Sequence, residues 1–207
     1  MAASTSHRRL VQPPQSPLSS VVAANHYLRP REETVIEVPE GTTEFVTAEN
    51  KLKRSTYGLS VQKIVKVNNP YLLGCYLLKK KEYQSRTGMQ NVEMELFHAT
   101  PQRNVKHSII TDNLDWRMAS RCKFGQGVSF ATSASYANME CSANRGSCRT
   151  SQRAMIIAKV LVGRSQEGNY GTTLPSDPYD TTTGRHSVIV KYYDNEFYPE
   201  YVVYYET

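Results

Sequence analysis

Short apolar runs separated by turn residues dominate the chain from about residue 57 onward. An apolar run at residues 64–67 predicts a strand, and Asn69 followed by Pro70 predicts the start of a helix. The segment VEMELFHAT, residues 92–100, alternates between apolar and polar positions, which is typical of a half-buried strand. We therefore expect strands and helices of ordinary length in this part of the chain.

The same pattern continues to the C-terminus with more strand than helix. Thr100-Pro101 predicts a second helix by the same cap-and-proline pattern, and residues 128–131 predict a brief strand. Thr132 or Ser133 would then cap a short helix through Tyr136. Further strands are predicted at residues 154–162 and in HSVIVKYYD and YPEYVVYYE, with a long loop over residues 163–185. Because crossover helices do not alternate with the strands, we expect an α+β fold and not a doubly wound parallel sheet.

Residues 1–50 have a different composition from the remainder of the chain. They are rich in Pro, Ser and Thr and have no sustained period, so we expect a disordered or weakly ordered tail before a domain at residues 51–207. The absence of acidic residues before Glu32 would also fit an organelle transit peptide, although a tail is the simpler interpretation. No run reaches the length of a membrane helix, so no membrane partner is expected.

The formal net charge of +6 is concentrated in the second part of the chain. Residues 1–50 hold four Arg and six Glu, which gives −2, and residues 51–207 hold 21 basic and 13 acidic residues, which gives +8. A basic domain can bind nucleic acid, and the C-terminal tyrosines could stack on bases. Those tyrosines fall in two predicted strands, where packing explains them. We therefore expect no nucleic-acid partner. We also expect the protein to be a monomer.

The four cysteines, at positions 75, 122, 141 and 148, have no zinc-site spacing. We therefore expect no metal, and we interpret the cysteines as free thiols of a nuclear or cytoplasmic protein. A bond between Cys141 and Cys148 across a loop remains open.

Two local features could carry chemistry. Gly125-Gln126-Gly127 lacks the third glycine of a dinucleotide loop and the Gly-Lys-Ser/Thr of a phosphate loop, so it predicts a turn with a positive φ angle. His98 shares a strand face with Leu96 and Met94 and points either into the core or into a cleft beside it.

Several motifs follow one another in an order typical of a known family. ELFHAT, FGQGVSFATSASYAN, AKVLVGR, DPYDTTT and the closing YPEYVVYYE resemble the catalytic domain of the PARP family over residues 57–206. The mono-ADP-ribosyltransferase branch of that family has a Leu-Phe-His-Gly-Thr strand, a Phe-Gly-x-Gly-x-Tyr-Phe-Ala turn and a Tyr-Pro-Glu-Tyr strand. The resemblance implies a split antiparallel sheet flanked by short helices. It also implies NAD as substrate, with transfer of single ADP-ribose units to protein acceptors.

The resemblance further implies a role for each matched position. His98 falls on the histidine that hydrogen-bonds the adenosine-side ribose, and Ala99 on a glycine whose backbone holds the nicotinamide amide. Arg117 falls, in a looser alignment, on a donor-loop arginine near the adenosine. Val188 falls where polymerising members have glutamate. A valine cannot polarise an acceptor hydroxyl, so no chain elongation is expected.

The resemblance breaks down at the nicotinamide end of the expected pocket. Ser129 stands where the family has a stacking tyrosine, and Ala137 where it has a serine that hydrogen-bonds the carboxamide. No ring follows at Met139, Glu140 or Cys141, and only Tyr136 is near enough to substitute. The loss of two stacking rings and of the partner of a buried amide would together cost about 2–6 kcal/mol if the three losses added. Two functions therefore remain open: a transferase, and a catalytically weak or inactive relative that binds or scaffolds.

Overall fold

We describe a computed structural model, which covers residues 35–54, 56, 58–105, 109–119, 122–143 and 151–207. Within these ranges nine strands form one sheet. The strands are β1 (Val35–Glu37), β2 (Ser60–Val67), β3 (Glu93–Pro101), β4 (Val128–Ala131), β5 (Gln152–Leu161), β6 (Ser165–Glu167), β7 (Thr181–Gly184), β8 (Val188–Lys191) and β9 (Phe197–Glu206).

The strand order across the sheet is β1-β2-β9-β5-β3-β4-β8-β7-β6. Neighbouring strands are antiparallel except β6 and β7, which are parallel. The sheet is therefore mixed, whereas the resemblance implied an antiparallel sheet. The parallel pair lies at one edge, beyond the strands that carry the predicted motifs. The α+β fold class expected from the sequence is confirmed.

Three helices cover the sheet: α1 (Thr43–Lys53), α2 (Pro70–Thr87) and α3 (Ala134–Ala143). Helix α2 packs Leu72, Tyr76 and Tyr83 into the core on one face of the sheet. Helices α1 and α3 bury side chains in a second core cluster on the other face. Burial on both faces explains why β3 has adjacent buried residues, Leu96 and Phe97, where strict alternation was predicted. No helix among the described residues is long and apolar enough to cross a membrane.

The domain begins earlier than the sequence indicated. We assigned residues 1–50 to a tail, yet β1 pairs with β2, and α1 buries Phe45, Ala48 and Leu52. Thr42 caps α1 because its Oγ1 accepts a hydrogen bond from the Phe45 amide at 3.2 Å. Composition obscured this segment because its three core side chains lie among polar residues. Residues 1–34 of the expected tail lie outside the described residues.

The predicted start of α2 is confirmed. Asn69 Oδ1 accepts a hydrogen bond from the Leu72 amide at 2.9 Å, and Pro70 occupies the first turn. Gly88 ends the helix with φ 70°, a left-handed conformation that favours glycine. Leu77, the residue after the buried Tyr76, is 39% exposed.

Three predicted elements differ from the structure. The helix expected at Thr100-Pro101 is absent from the described residues there, because β3 runs on to Pro101 and only a short 3-10 turn follows. Helix α3 continues past Tyr136 to Ala143. The predicted loop at residues 163–185 contains β6 and β7, whose short polar sequences have no apolar alternation.

The cysteines divide into two kinds. Cys75 and Cys122 are free thiols, as predicted. Cys141 is disulfide-bonded, so the free-thiol interpretation is wrong for this residue. Cys148 lies outside the described residues.

A buried charged cluster supports the end of β8. Lys191 is 0% exposed, and its Nζ donates to Thr181 Oγ1 at 2.8 Å and to the Tyr83 hydroxyl at 3.0 Å. Asp180 and Glu196, both nearly fully buried, lie 3.5 and 3.6 Å from the same nitrogen. Burial lowers the pKa of Lys191, although the two acids oppose this shift. The cluster ties α2, β7 and β8 together.

The sheet has a narrow joint at its centre. Strands β3 and β5 pair over nine positions, from Glu93 to Pro101, whereas β3 and β4 pair at the single position Phe97–Ala131. We call this joint the seam. It divides a five-strand half-sheet from a four-strand half-sheet, which matches the split that the resemblance implied.

Candidate functional site

A cleft of about 460 Å³ lies along the seam. Its walls come from the ends of β3 and β4, the first part of α3, and the segment of residues 113–119, which we call the cleft loop. Six of the seven predicted site residues line it: His98, Ala99, Ser129, Tyr136, Ala137 and Val188. The fold therefore brings together positions that are up to 90 residues apart in the sequence.

His98 occupies the cleft side of the seam. Its Nδ1 lies 2.8 Å from the backbone carbonyl oxygen of Ser129, so Nδ1 carries a proton and donates it to that carbonyl. Nε2 is then an acceptor for a ligand hydroxyl. Burial lowers the pKa of His98, and the bond to Ser129 opposes this only in part. The imidazole is therefore neutral, and its ring packs edge-on against Phe130.

The opposite wall of the cleft has no aromatic ring at position 129. Ser129 lies on β4 opposite Val190, and Val188 lies opposite Ala131 at the other end of the same strand pair. Ala137 is buried on α3, where its methyl group faces the cleft. The substitutions noted in the sequence therefore all line one cavity.

Tyr136 is the aromatic residue of α3 that reaches the cleft. Its ring contacts the His186 ring, with centroids 5.0 Å apart and planes tilted by 34°. Tyr136 also lines a smaller cavity next to the cleft. In this position the ring forms the divider between the two cavities.

Arg117 does not line the cleft. Its Nε donates to Asp115 Oδ1 at 2.6 Å, and Asp194 lies 3.8 Å from its Nη2. Its neighbours Asp115 and Trp116 line the cleft instead. The predicted contact between Arg117 and a ligand stays a prediction.

The cleft loop is anchored by one asparagine. Asn113 has φ 75° and a buried side chain whose Nδ2 donates to the carbonyl oxygens of Asp194 and Phe197, at 2.9 and 3.0 Å. Its Oδ1 accepts from the Leu114 amide at 2.9 Å. This side chain fixes the loop to the turn that precedes β9.

Sequence reasoning missed an ion pair that lines the cleft. Lys123 Nζ lies 2.9 Å from both carboxylate oxygens of Glu140, and each side chain is about a quarter to a third exposed. Glu140 lies one helical turn after Ala137, so the length of α3 would have placed it on the cleft face. Nothing in the sequence around Lys123 indicates the pairing, because its partner is 17 residues away.

The glycines of FGQG have a backbone role. Gly125 has φ 132°, and a Cβ there would lie 2.0 Å from the Tyr192 hydroxyl. A Cβ on Gly127 would lie 2.3 Å from the carbonyl oxygen of Lys191. The predicted positive-φ turn is thus confirmed at Gly125, and both glycines let this turn lie against β8 and the residue that follows it.

Comparison with known proteins is consistent with this cleft. The catalytic domain of poly(ADP-ribose) polymerase matches residues 42–207. The chain belongs to the PARP catalytic-domain family. The PARP domain thus begins before residue 51, close to the first residues of α1.

Curated relatives are similar at a modest level. The human "Protein mono-ADP-ribosyltransferase PARP14" is 28% identical over 82% of this chain and 10% of its own length. The human "Protein mono-ADP-ribosyltransferase PARP12" is 29% identical over 83% of this chain and 26% of its own length, and mouse PARP12 is 28% identical. The chain therefore spans about a tenth to a quarter of the curated relatives it matches. Those relatives are named for mono-ADP-ribosyl transfer.

Proposed function

We propose that the chain is an NAD-dependent mono-ADP-ribosyltransferase that modifies protein side chains. The observation that carries this proposal is the cleft at the seam, where a neutral His98 presents Nε2 to the interior and Val188 leaves the acceptor end without a carboxylate. Family membership and the names of the relatives support the reaction class.

The residues of the cleft fit one end of NAD better than the other. His98 can accept a hydrogen bond from a ribose hydroxyl, and Asn104 and Thr100 add polar groups to the same wall. At the nicotinamide end, Ser129 has no aromatic face and Ala137 has no hydroxyl for the carboxamide. We therefore expect NAD to bind weakly, mainly through its adenosine half.

The reaction would pass through a loosened bond between ribose C1 and the nicotinamide nitrogen. As that bond breaks, its electron pair leaves with neutral nicotinamide and positive charge develops on the ribose. The acceptor side chain then bonds to C1, and any proton it carries is lost to solvent. Without a carboxylate at Val188, a bound ribose hydroxyl would not be activated as a second acceptor, so each site would receive one unit.

Labelled NAD tests this proposal. Purified protein should transfer the label to itself or to added proteins, and the attached group should be a single ADP-ribose by mass spectrometry. His98→Ala should lower the transfer strongly, whereas Lys81→Ala, an exposed position on α2 that does not line the cleft, should not. The absence of label across acceptors and pH values would overturn the proposal.

A second function is favoured by the nicotinamide end of the cleft. This end of the cleft lacks the groups that would hold nicotinamide, because Ser129 has no aromatic ring, Ala137 has no hydroxyl, and the Lys123–Glu140 ion pair lines the same region. These differences support a binding or scaffold module without transfer activity. Calorimetry separates the two functions. Binding of NAD with micromolar affinity would exclude a scaffold module that has lost NAD binding. If NAD neither binds nor is transferred, the transferase function is excluded.

A further inference from the structure

A second cavity opens beside the cleft. It has a volume of about 350 Å³, and we call it the side depression. It is lined by Lys123, Phe124, Tyr136, Met139, Glu140, Tyr170, Arg185 and His186. Four of these residues, Lys123, Phe124, Tyr136 and Glu140, also line the cleft. A side chain held in the side depression would therefore lie directly next to the cleft.

The unmatched charge in the side depression is positive. Glu140 and Lys123 neutralise each other, since Nζ lies 2.9 Å from both carboxylate oxygens. Arg185 is exposed and forms no ion pair with any part of the chain that the structure describes. Its guanidinium is thus available to a carboxylate from another molecule.

The rest of the side depression offers apolar contact. Tyr170 is 67% exposed and Met139 is 52% exposed, so both retain surface that a partner could cover. Tyr136 and His186 form the wall between them and the cleft through their ring contact. A guanidinium beside exposed aromatic and thioether surface suits a peptide with an acidic and an apolar side chain.

The wall that carries Arg185 has an unusual backbone. His186 and Ser187 both have positive φ, 59° and 56°, directly before Val188 of the cleft. Neither is glycine, so this conformation costs energy and is held by the surrounding contacts. It fixes the path of the chain through His186 and Ser187, between β7 and β8.

We propose that the side depression binds an acidic segment of the protein that accepts ADP-ribose. A carboxylate of the segment pairs with Arg185, and a neighbouring apolar side chain covers Tyr170 and Met139. The identification of this segment as an acceptor rests on the proposed function, whereas its binding does not. Charge favours a short peptide over a nucleic acid, because a single unpaired guanidinium would not track a phosphate chain.

Fluorescence anisotropy without NAD tests the binding. Two short labelled peptides share a central tyrosine and differ only in flanking residues, glutamate in one and lysine in the other. The glutamate peptide should bind about three- to fivefold more tightly, which corresponds to one partly exposed ion pair. Arg185→Glu should reverse this preference. Lys81→Glu makes the same charge change at an exposed position outside both cavities and should leave the preference intact.

Any of four results would overturn the inference. Two are equal affinity for the two peptides and no detectable binding of either peptide. The others are equal effects of Arg185→Glu and Lys81→Glu, and displacement of the glutamate peptide by a short oligonucleotide of the same charge. Transfer from labelled NAD is measured on the same preparations. If the peptide binds but no label is transferred, the proposed function is wrong and the binding site stands. If label is transferred but the peptide does not bind, the binding site is wrong and the proposed function stands.

Discussion

Restoring the missing groups at the nicotinamide end should increase the affinity of the cleft for NAD. The variant combines Ser129→Tyr with Ala137→Ser, and both positions face the cleft. His98 should keep its orientation, because it donates to the backbone carbonyl of residue 129 and not to the serine side chain. The exchange therefore changes the ligand wall without removing the hydrogen bond across the seam.

The expected gain follows from the two added contacts. A tyrosine stacked on the nicotinamide contributes about 0.5–1.5 kcal/mol beyond burial, and a serine hydroxyl that pairs the carboxamide recovers about 1–3 kcal/mol. Together they amount to about 1.5–4.5 kcal/mol, which lowers the Kd for NAD by a factor of about 10 to 2,000.

Isothermal titration calorimetry measures the effect with NAD and with ADP-ribose, which lacks nicotinamide. Affinity for ADP-ribose should change little, since the added groups contact only the nicotinamide. Ser129→Leu with Ala137→Ser is the matched control, because leucine adds bulk without a flat aromatic face. If the folded double variant binds NAD no more tightly than the parent chain, our explanation of the weak subsite is refuted.

Three further predictions concern single buried side chains. Lys191→Met removes the buried cation from Glu196 and leaves Asp180 with Arg86 alone, so it should lower the free energy of unfolding by about 3–5 kcal/mol in denaturant titrations. Lys63→Met at the surface should change it by less than about 1 kcal/mol. A similar loss in both variants would contradict this. Asn113→Asp turns a donor to two carbonyl groups into an acceptor and should lower thermal stability more than Asn113→Gly, which suits φ 75°; the reverse order would disprove the anchoring role. Burial lowers the pKa of His98, so the unfolded chain binds a proton more readily than the folded chain does. The free energy of unfolding of the parent chain, measured relative to that of His98→Asn, should therefore be greatest above the ordinary pKa of 6.5. It should decrease as the pH falls below that value. A difference that does not vary with pH would contradict the neutral imidazole.

Local sequence signals predicted the elements that are decided by neighbouring residues. The Asn69-Pro70 start of α2, the Gly125 turn and the two closing strands depend on caps, φ angles and alternation, which a short window contains. Thr100-Pro101 has the same local signature as Asn69-Pro70, yet β3 continues through it because pairing with β5 extends to Pro101. Tertiary pairing decided that position, and no local pattern records it.

The residues of the candidate site also fall into those that the sequence could locate and those that it could not. His98, Ser129 and Val188 could be located because each lies in a strand whose motif is recognisable. The Lys123–Glu140 pair could not, since it joins a loop to a helix through side chains with no shared motif. Arg117 is held by an ion pair with Asp115, which leaves no trace in the spacing of residues.

The seam has a consequence for how the protein opens. Because the two half-sheets share the single backbone pair Phe97–Ala131, we expect them to open as separate units, and amide hydrogen exchange near β4 and β8 should report a sub-global opening below the energy of complete unfolding. A molecule bound across the seam would couple the two units and suppress this opening. Protection of the β4 and β8 amides can therefore serve as a screen for ligands of the cleft before any chemistry is known.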